Sequence, residues 1–330
     1  MSYSTLIEKL LNRDSRAAAR LITIVENDII AAEEIINSIY KYTGNAYILG
    51  VTGSPGSGKS TFISTLTKNF VEQGKKIGII CVDPTSPLTG GSILGDRIRM
   101  KEHFNLGNVF IRSMANRGQL GGLARATEDT IKILDVYGSD VVIVETVGVG
   151  QSEVDIFKSA QTVAVLLQPE VGDDIQAIKA GIMEITDIFV VNKMDLPGAD
   201  RKVAEISQML ELESSFKYDD QDLFKEYSKI RRWTPKIVKV NSKTGEGFNE
   251  FLEMINQHKL FLNDTGIIES YTKNRIKNET LQILKHKLTK KVEKLLSSNS
   301  EIEKYINLVM DKSLDPYSMA NLIIKLLGID

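Results

Sequence analysis

Gly53-Ser54-Pro55-Gly56-Ser57-Gly58-Lys59-Ser60, entered from the apolar run Tyr47–Val51 and left through the helix-forming stretch Thr61–Phe70, is the segment from which the rest of the chain is read. It satisfies G-x-x-x-x-G-K-[ST] in full, in the strand–loop–helix setting that the pattern requires. Its glycines let consecutive backbone N–H groups curl around phosphate oxygens at a helix N-terminus, an end already biased toward anions. Lys59 is placed to reach β- and γ-phosphates, and the Ser60 hydroxyl to reach a magnesium ion. Residues Gly53 to Thr61 are therefore the expected cradle of a nucleoside triphosphate.

Outward from that loop, short Val- and Ile-rich runs alternate with helical stretches. The runs are Tyr47–Val51, Ile77–Val82, Val109–Ile111, Val141–Val144, Val163–Leu167, Ile188–Val191 and Ile237–Val240. They are nearly continuous rather than alternating in polarity, which predicts strands buried on both faces. The fold class expected is α/β: a mostly parallel P-loop NTPase sheet with helices on both faces, plus N-terminal and C-terminal helical extensions. Residues 1–45 form the N-terminal extension, with Asp14 and Ser15 as caps before Ala17–Val25 and an apolar stripe continuing through Ile39. Residues 46–262 form the nucleotide domain, interrupted at 199–232 by a helical, charge-rich insertion. Residues 263–330 form a helical arm in which Leu281, Leu284, Leu288, Val292 and Leu295 step by three or four, a core or partner-helix stripe flanked by solvated lysines.

A formal net charge of −2 argues against a nucleic-acid partner. No stretch has the length of a membrane span, and Met1-Ser2-Tyr3-Ser4 lacks the layout of a secretion signal, so a cytoplasmic protein is expected. The single Cys81 falls within an apolar run, as a small buried hydrophobe would, and His103, His258 and His286 have no ligand spacing. These residues speak against a Cys or His nucleophile and against a nickel- or zinc-loading function.

The run Ile188–Val191 ends in Asn192-Lys193-Met194-Asp195, at the carboxyl end of a strand, where ligands sit in open α/β sheets. A carboxylate at Asp195 can accept from both N1–H and the 2-amino group of guanine. Adenine offers neither donor there and would leave the carboxylate unpaired. The next strand ends in Asn241-Ser242-Lys243, positioned to close over guanine O6. GTP and GDP are thus the expected ligands. Hydrolysis would need Mg²⁺ and an oriented water, and Asp83, Asp96 and Glu145 each follow a strand or lie in a polar loop as candidates to hold the ion directly or through water, with Ser60. Arg97, Arg99, Arg112, Arg117 and Arg125 cluster near these segments, and each reads equally as a catalytic arginine, a partner contact or solvated surface.

Longer motifs add a resemblance. Asp83-Pro84-Thr85-Ser86, Thr89 through Arg97, Arg117 through Leu123, Glu145-Thr146-Val147-Gly148-Val149-Gly150-Gln151-Ser152-Glu153, Gly172 through Gly181 and Asp315-Pro316-Tyr317 occur in order over nearly the whole chain. In these the sequence resembles the MeaB/ArgK family, GTPases associated with methylmalonyl-CoA mutase. The resemblance implies a SIMIBI-class G domain, a C-terminal arm that makes a homodimer, and GTP hydrolysis that gates adenosylcobalamin delivery to, and protection of, a cobalamin-dependent acyl-CoA mutase. By motif match, Asp83, Asp96 and Glu145 would serve the magnesium and switch regions, and Asp173 and Lys179 would lie on a third switch loop that couples partner contact to hydrolysis. With Lys59, the residues Asp96, Glu145, Asp173 and Lys179 are the expected catalytic set. Two segments depart from the common pattern: Pro169-Glu170-Val171 replaces Pro-Gly, and Asn241-Ser242-Lys243 replaces Ser-Ala-x. An older name for the family suggests a kinase passing the γ-phosphate to an amino acid or protein. No acceptor-site motif accompanies that alternative, and a pure binding module would not need the carboxylates.

Overall fold

All seven Val- and Ile-rich runs are strands in the computed structural model, which describes residues 3–83, 107–115, 122–146, 160–169, 185–215, 233–298 and 300–326. They are β1 (Tyr47–Gly53), β2 (Ile77–Asp83), β3 (Val109–Ala115), β4 (Val141–Thr146), β5 (Thr162–Leu167), β6 (Ile188–Val191) and β7 (Lys236–Lys239). They form one sheet in the order β3-β2-β4-β1-β5-β6-β7. Every neighbouring pair is parallel. All residues of β4, β5 and β6 are buried, as strands covered on both faces must be. Because side chains alternate along a strand, each strand feeds two cores.

On one face Ile48, Ile80, Val142, Val165 and Phe189 pack with α1 (Tyr3–Leu11), α2 (Ser15–Asn27), α3 (Ile29–Ile39), α5 (Gly122–Tyr137) and α6 (Ala199–Ser215). On the other, Leu49, Val51, Ile79, Ile143 and Leu166 pack with α4 (Lys59–Glu72) and α7 (Phe248–Asp264). The rings of Phe62 on α4 and of Phe248 and Phe251 on α7 meet with centroids 5.1 and 5.0 Å apart, joining the two helices.

Asp14 caps α2, accepting from Ala17 N at 2.7 Å. The stripe expected to continue from α2 is divided at Asp28, whose carboxylate accepts from Ile30 and Ala31 N–H and starts α3 as a separate helix. These N-terminal helices are fixed to the nucleotide domain by polar groups. Arg112 on β3 pairs with Glu26 and donates to Thr23 Oγ1 at 3.2 Å. Arg125 on α5 donates to Val25 O at 2.9 Å while paired with Asp129 at 2.6 Å. Both arginines are therefore committed to this junction; Arg97, Arg99 and Arg117 lie outside the described residues. Asp135, also on α5, accepts from the backbone N–H groups of Gly44, Asn45 and Ala46, the turn that leads into β1.

At the amino end of the sheet, His258 on α7 contacts Thr162 Oγ1 at 2.7 Å and Asp187 Oδ1 at 3.3 Å, and Thr162 also accepts from the Tyr47 hydroxyl. Burial pushes the Tyr47 hydroxyl far above the usual phenol range, so it remains a donor here. The network anchors α7 at the end of the sheet away from the phosphate loop.

The chain divides into two compact units, Met1–Lys277 and Asn278–Asp330, the division falling within α8 (Ile267–Ser298). In the second unit α9 (Ser300–Met310) packs with α10 (Pro316–Leu326), which Asp315 starts by accepting from Tyr317 and Ser318 N–H. Leu281, Leu284 and Leu288 are exposed, and Tyr317 is 85 % exposed. Among the described residues no helix is long and apolar enough to cross a membrane.

Replacing Asp135 by Ala removes the acceptor for three N–H groups, and is expected to destabilise the first unit by about 2–3 kcal/mol. Urea unfolding followed by circular dichroism reads this as a lower midpoint. An unchanged midpoint would show that the clasp adds no stability.

Candidate functional site

The phosphate loop is shaped by what surrounds its glycines. Gly53, the last residue of β1, lies against β5 so closely that a Cβ there would sit 2.2 Å from Leu166 O. Gly56 and Gly58 have φ of 82° and 88°, a region L side chains adopt only with strain. A Cβ on Gly58 would also sit 2.5 Å from Asn192 Nδ2. The chain turns directly from Gly58 into α4 at Lys59, so the N-terminal end of that helix faces the loop. Lys59 is buried, and its Nζ donates to Gly53 O at 2.8 Å and Ser54 O at 3.0 Å. The buried hydroxyls of Ser54 and Ser57 have no hydrogen-bond partner among the described residues. Such unmet donors in a glycine-shaped, cation-lined loop suit a polyanion.

The second wall comes from the exits of β6 and β7. Asn192 Nδ2 donates to Ser57 O at 2.7 Å, and its Oδ1 accepts from Ser242 N at 3.2 Å and Ser242 Oγ at 2.8 Å. One side chain thus binds the phosphate loop to the loop after β7. Ser242 O accepts from Thr65 Oγ1 on α4 at 2.6 Å, closing the ring. Asp195 is exposed, and its Oδ1 accepts from Asn241 Nδ2 at 2.9 Å. Asn241 Oδ1 in turn accepts from Lys243 and Thr244 N–H at 3.0 and 3.3 Å, which holds its amide in place. Asp195 Oδ2 has no partner among the described residues, and is left for a ligand's donors. The departure from Ser-Ala-x therefore has a structural use: Asn241 orients the carboxylate.

The third wall is β4. Strand register places Glu145 between Val51 and Cys81. Its carboxylate is 3 % exposed, with Oε1 3.3 Å from Ser60 Oγ and Oε2 3.7 Å from Cys81 Sγ. Next to it, Thr146 Oγ1 donates to Thr52 Oγ1 at 3.0 Å. A hydroxyl and a carboxylate side by side are hard oxygen donors, the type magnesium takes. Asp83 ends β2 at the same carboxyl edge of the sheet. Its side chain, and the whole of Asp96, Asp173 and Lys179, lie outside the described residues.

Of the expected site residues, the structure thus gathers Gly53 to Thr61, Glu145, Asn192, Lys193, Asp195 and Asn241 to Lys243 at one edge. Three neighbours were not singled out from the sequence for this site. Cys81, expected as a small buried hydrophobe, is buried but adjoins Glu145. Thr65 carries no motif. Gln168, which accepts from Lys193 Nζ at 2.7 Å, directly follows β5 at the strand end where ligands gather, and that position was its one available signal.

With this geometry in hand, comparison with known proteins is decisive. Residues 18–297 match the family model described as Methylmalonyl Co-A mutase-associated GTPase MeaB. The chain belongs to this family. A Pyrococcus horikoshii protein named "Putative GTPase" is 51 % identical over 320 residues, which cover 97 % of this chain and 96 % of that protein. GTPase ArgK of Escherichia coli is 32 % identical over 317 residues, 92 % of this chain and 90 % of the relative. The crystal structure of an LAO/AO transport system kinase superposes with a TM-score of 0.68 at 21 % identity, covering 99 % of this chain and 98 % of that one, a likeness of fold.

Gly58→Ala is expected to weaken GDP binding at least about tenfold, since the new Cβ would combine positive-φ strain with displacement of Asn192. Titration with a fluorescent GDP analogue measures it. Wild-type affinity in this variant would mean that the Gly58–Asn192 approach does not shape the site.

Proposed function

We propose that this member of the MeaB family is a magnesium-dependent GTPase whose hydrolytic cycle gates adenosylcobalamin loading of, and protects, a cobalamin-dependent acyl-CoA mutase. The observation that carries the GTP reading is the Asn192 bridge, which joins a complete phosphate loop to a carboxylate, Asp195, oriented by Asn241. Guanine supplies two adjacent donors to such a carboxylate. Adenine would present an amino group and an unprotonated N1 instead.

In this reading Lys59 transfers its ammonium from the loop carbonyls to the β- and γ-phosphates. Backbone N–H groups of the loop and the start of α4, with the Ser54 and Ser57 hydroxyls, take the remaining phosphate oxygens. Ser60 and Glu145 would hold magnesium, with Asp83 and Asp96 as further ligands, and the ion would neutralise charge developing on the β- and γ-oxygens. Phosphoryl transfer is mostly positioning plus charge stabilisation, and the loop, lysine and carboxylates are the parts this chain offers for it. Gly148 and Gly150, which follow Glu145 in the sequence, suit a loop that approaches the γ-phosphate closely and moves after hydrolysis. Asp173 and Lys179 take the third-switch role by family pattern. The exposed leucines of α8 suit the homodimer that the family pattern implies, which light scattering of the full chain would measure.

Asp195→Asn exchanges an acceptor for a donor and should move preference from guanosine toward xanthosine nucleotides, whose 2-oxo group accepts. Competition between GDP and XDP for one fluorescent probe reads the change, and unaltered selectivity would remove Asp195 from base recognition. The mutase role is tested by turnover. Addition of this protein with GTP should slow inactivation of a cobalamin-dependent acyl-CoA mutase, with γ-phosphate released only as free phosphate. An unchanged inactivation rate would refute the chaperone reading, and label on an acceptor would favour the kinase.

A further inference from the structure

The carboxyl end of β5 lies between the phosphate loop and the Asn192–Asp195 segment and is joined to both through its backbone. Leu167 O accepts from Asn192 N at 2.8 Å, and Leu166 O occupies the space where a side chain on Gly53 would stand. The next residue, Gln168, is half-buried and turns its two amide atoms to different sides of that junction. Oε1 accepts from Lys193 Nζ at 2.7 Å. Nε2 is the atom nearest the position a Cβ on Gly56 would take, 3.8 Å away, and so adjoins the tip of the phosphate loop. Because an ammonium can only donate, it fixes which end of the amide faces Lys193.

Lys193 itself has φ 58°, a left-handed conformation that is strained for a side-chain-bearing residue and persists only where its surroundings hold it. Its backbone is held by Asn192 on one side and by Met194 N, which donates to Val240 O at 3.1 Å, on the other. Its side chain has Gln168 as its hydrogen-bond partner among the described residues. A free lysine stem samples many rotamers, so an acceptor at its tip decides whether it is ordered before a ligand arrives.

We propose that Gln168 is a positioning residue for nucleotide selection: its amide oxygen holds the Lys193 ammonium beside the phosphate loop and so pre-orders the base pocket two residues from Asp195. The inference rests on the reading of Asn192–Asp195 as a guanine site. Gln168 follows β5 and Lys193 follows β6, across β1 from β4 and Glu145, so in this proposal their pairing contributes equally to the bound ground state and to the transition state. Loss of such uniform binding raises KM and leaves kcat near its original value.

Gln168→Met keeps the length of the side chain and removes the acceptor, whereas Gln168→Glu keeps an acceptor for the ammonium. In the full chain, the Met variant is expected to raise the Kd for GDP and the KM for GTP about five- to tenfold, with kcat changed less than about twofold, and the Glu variant to return both to within about twofold of wild type. Lys193→Met should give the same rise, and the double variant Gln168→Met/Lys193→Met no further rise, because both changes remove one interaction. Wild-type GDP affinity in the Met variant, a Glu variant as weak as Met, or effects that multiply in the double variant would each overturn the proposal while leaving the guanine reading intact. A wild-type protein that binds ADP as tightly as GDP would overturn the guanine reading itself, and the proposal with it.

Discussion

The side-chain amide of Asn192 is the constraint on which the site depends. It donates to the phosphate loop at Ser57 O and accepts twice from Ser242, so the exits of β6 and β7 and the loop after β1 are tied together. An amide is suited to this because it offers donors and an acceptor from one planar group, and a buried amide left half-satisfied would be costly. Its position also leaves no room for a side chain at Gly58, where the left-handed turn into α4 already favours glycine. The phosphate loop and the segment proposed for base recognition are therefore one geometric object.

That object stands on a sheet whose strands all point the same way. Parallel strands with both faces buried bring every strand's carboxyl end to one edge, and β1, β4, β5, β6 and β7 each deliver a polar group there: Ser54, Glu145, Gln168, Asn192 and Asn241. The opposite edge carries the buried Tyr47–Thr162–His258–Asp187 network, which holds α7 without reaching the nucleotide side. The N-terminal helices share the larger core and are fixed by Arg112, Arg125 and Asp135, so the segment before β1 is built into the nucleotide domain's packing.

Much of this was legible in the chain. The seven Val- and Ile-rich runs coincide with the seven strands within a few residues, because a strand buried on both faces leaves an unbroken apolar signature. The phosphate loop, Asn192–Asp195 and Asn241–Lys243 were legible because contiguous residues carry each chemistry. The break at Asp28 was hidden by an apolar stripe that runs on through it, although the aspartate that caps α3 is visible once the break is known. Asp135 gave no signal, since its role is to meet three N–H groups about ninety residues away. Cys81 read as a hydrophobe because burial was all that its neighbours in sequence could report; its proximity to Glu145 arises from strand register.

The amino-acid sequence by itself determined the fold class, the phosphate loop and the residues offered for guanine, since each depends on periodicity or on contacts within a few residues. Tertiary structure alone decided which groups hold those residues in place. Asn241 orients Asp195, Gln168 holds Lys193, and Cys81 and Ser60 flank Glu145, all across gaps of 25 to 85 residues. The physical reason is that hydrogen-bond partners at a sheet edge are selected by strand order, and strand order follows from how the helices cover the two faces, which no local stretch of sequence encodes.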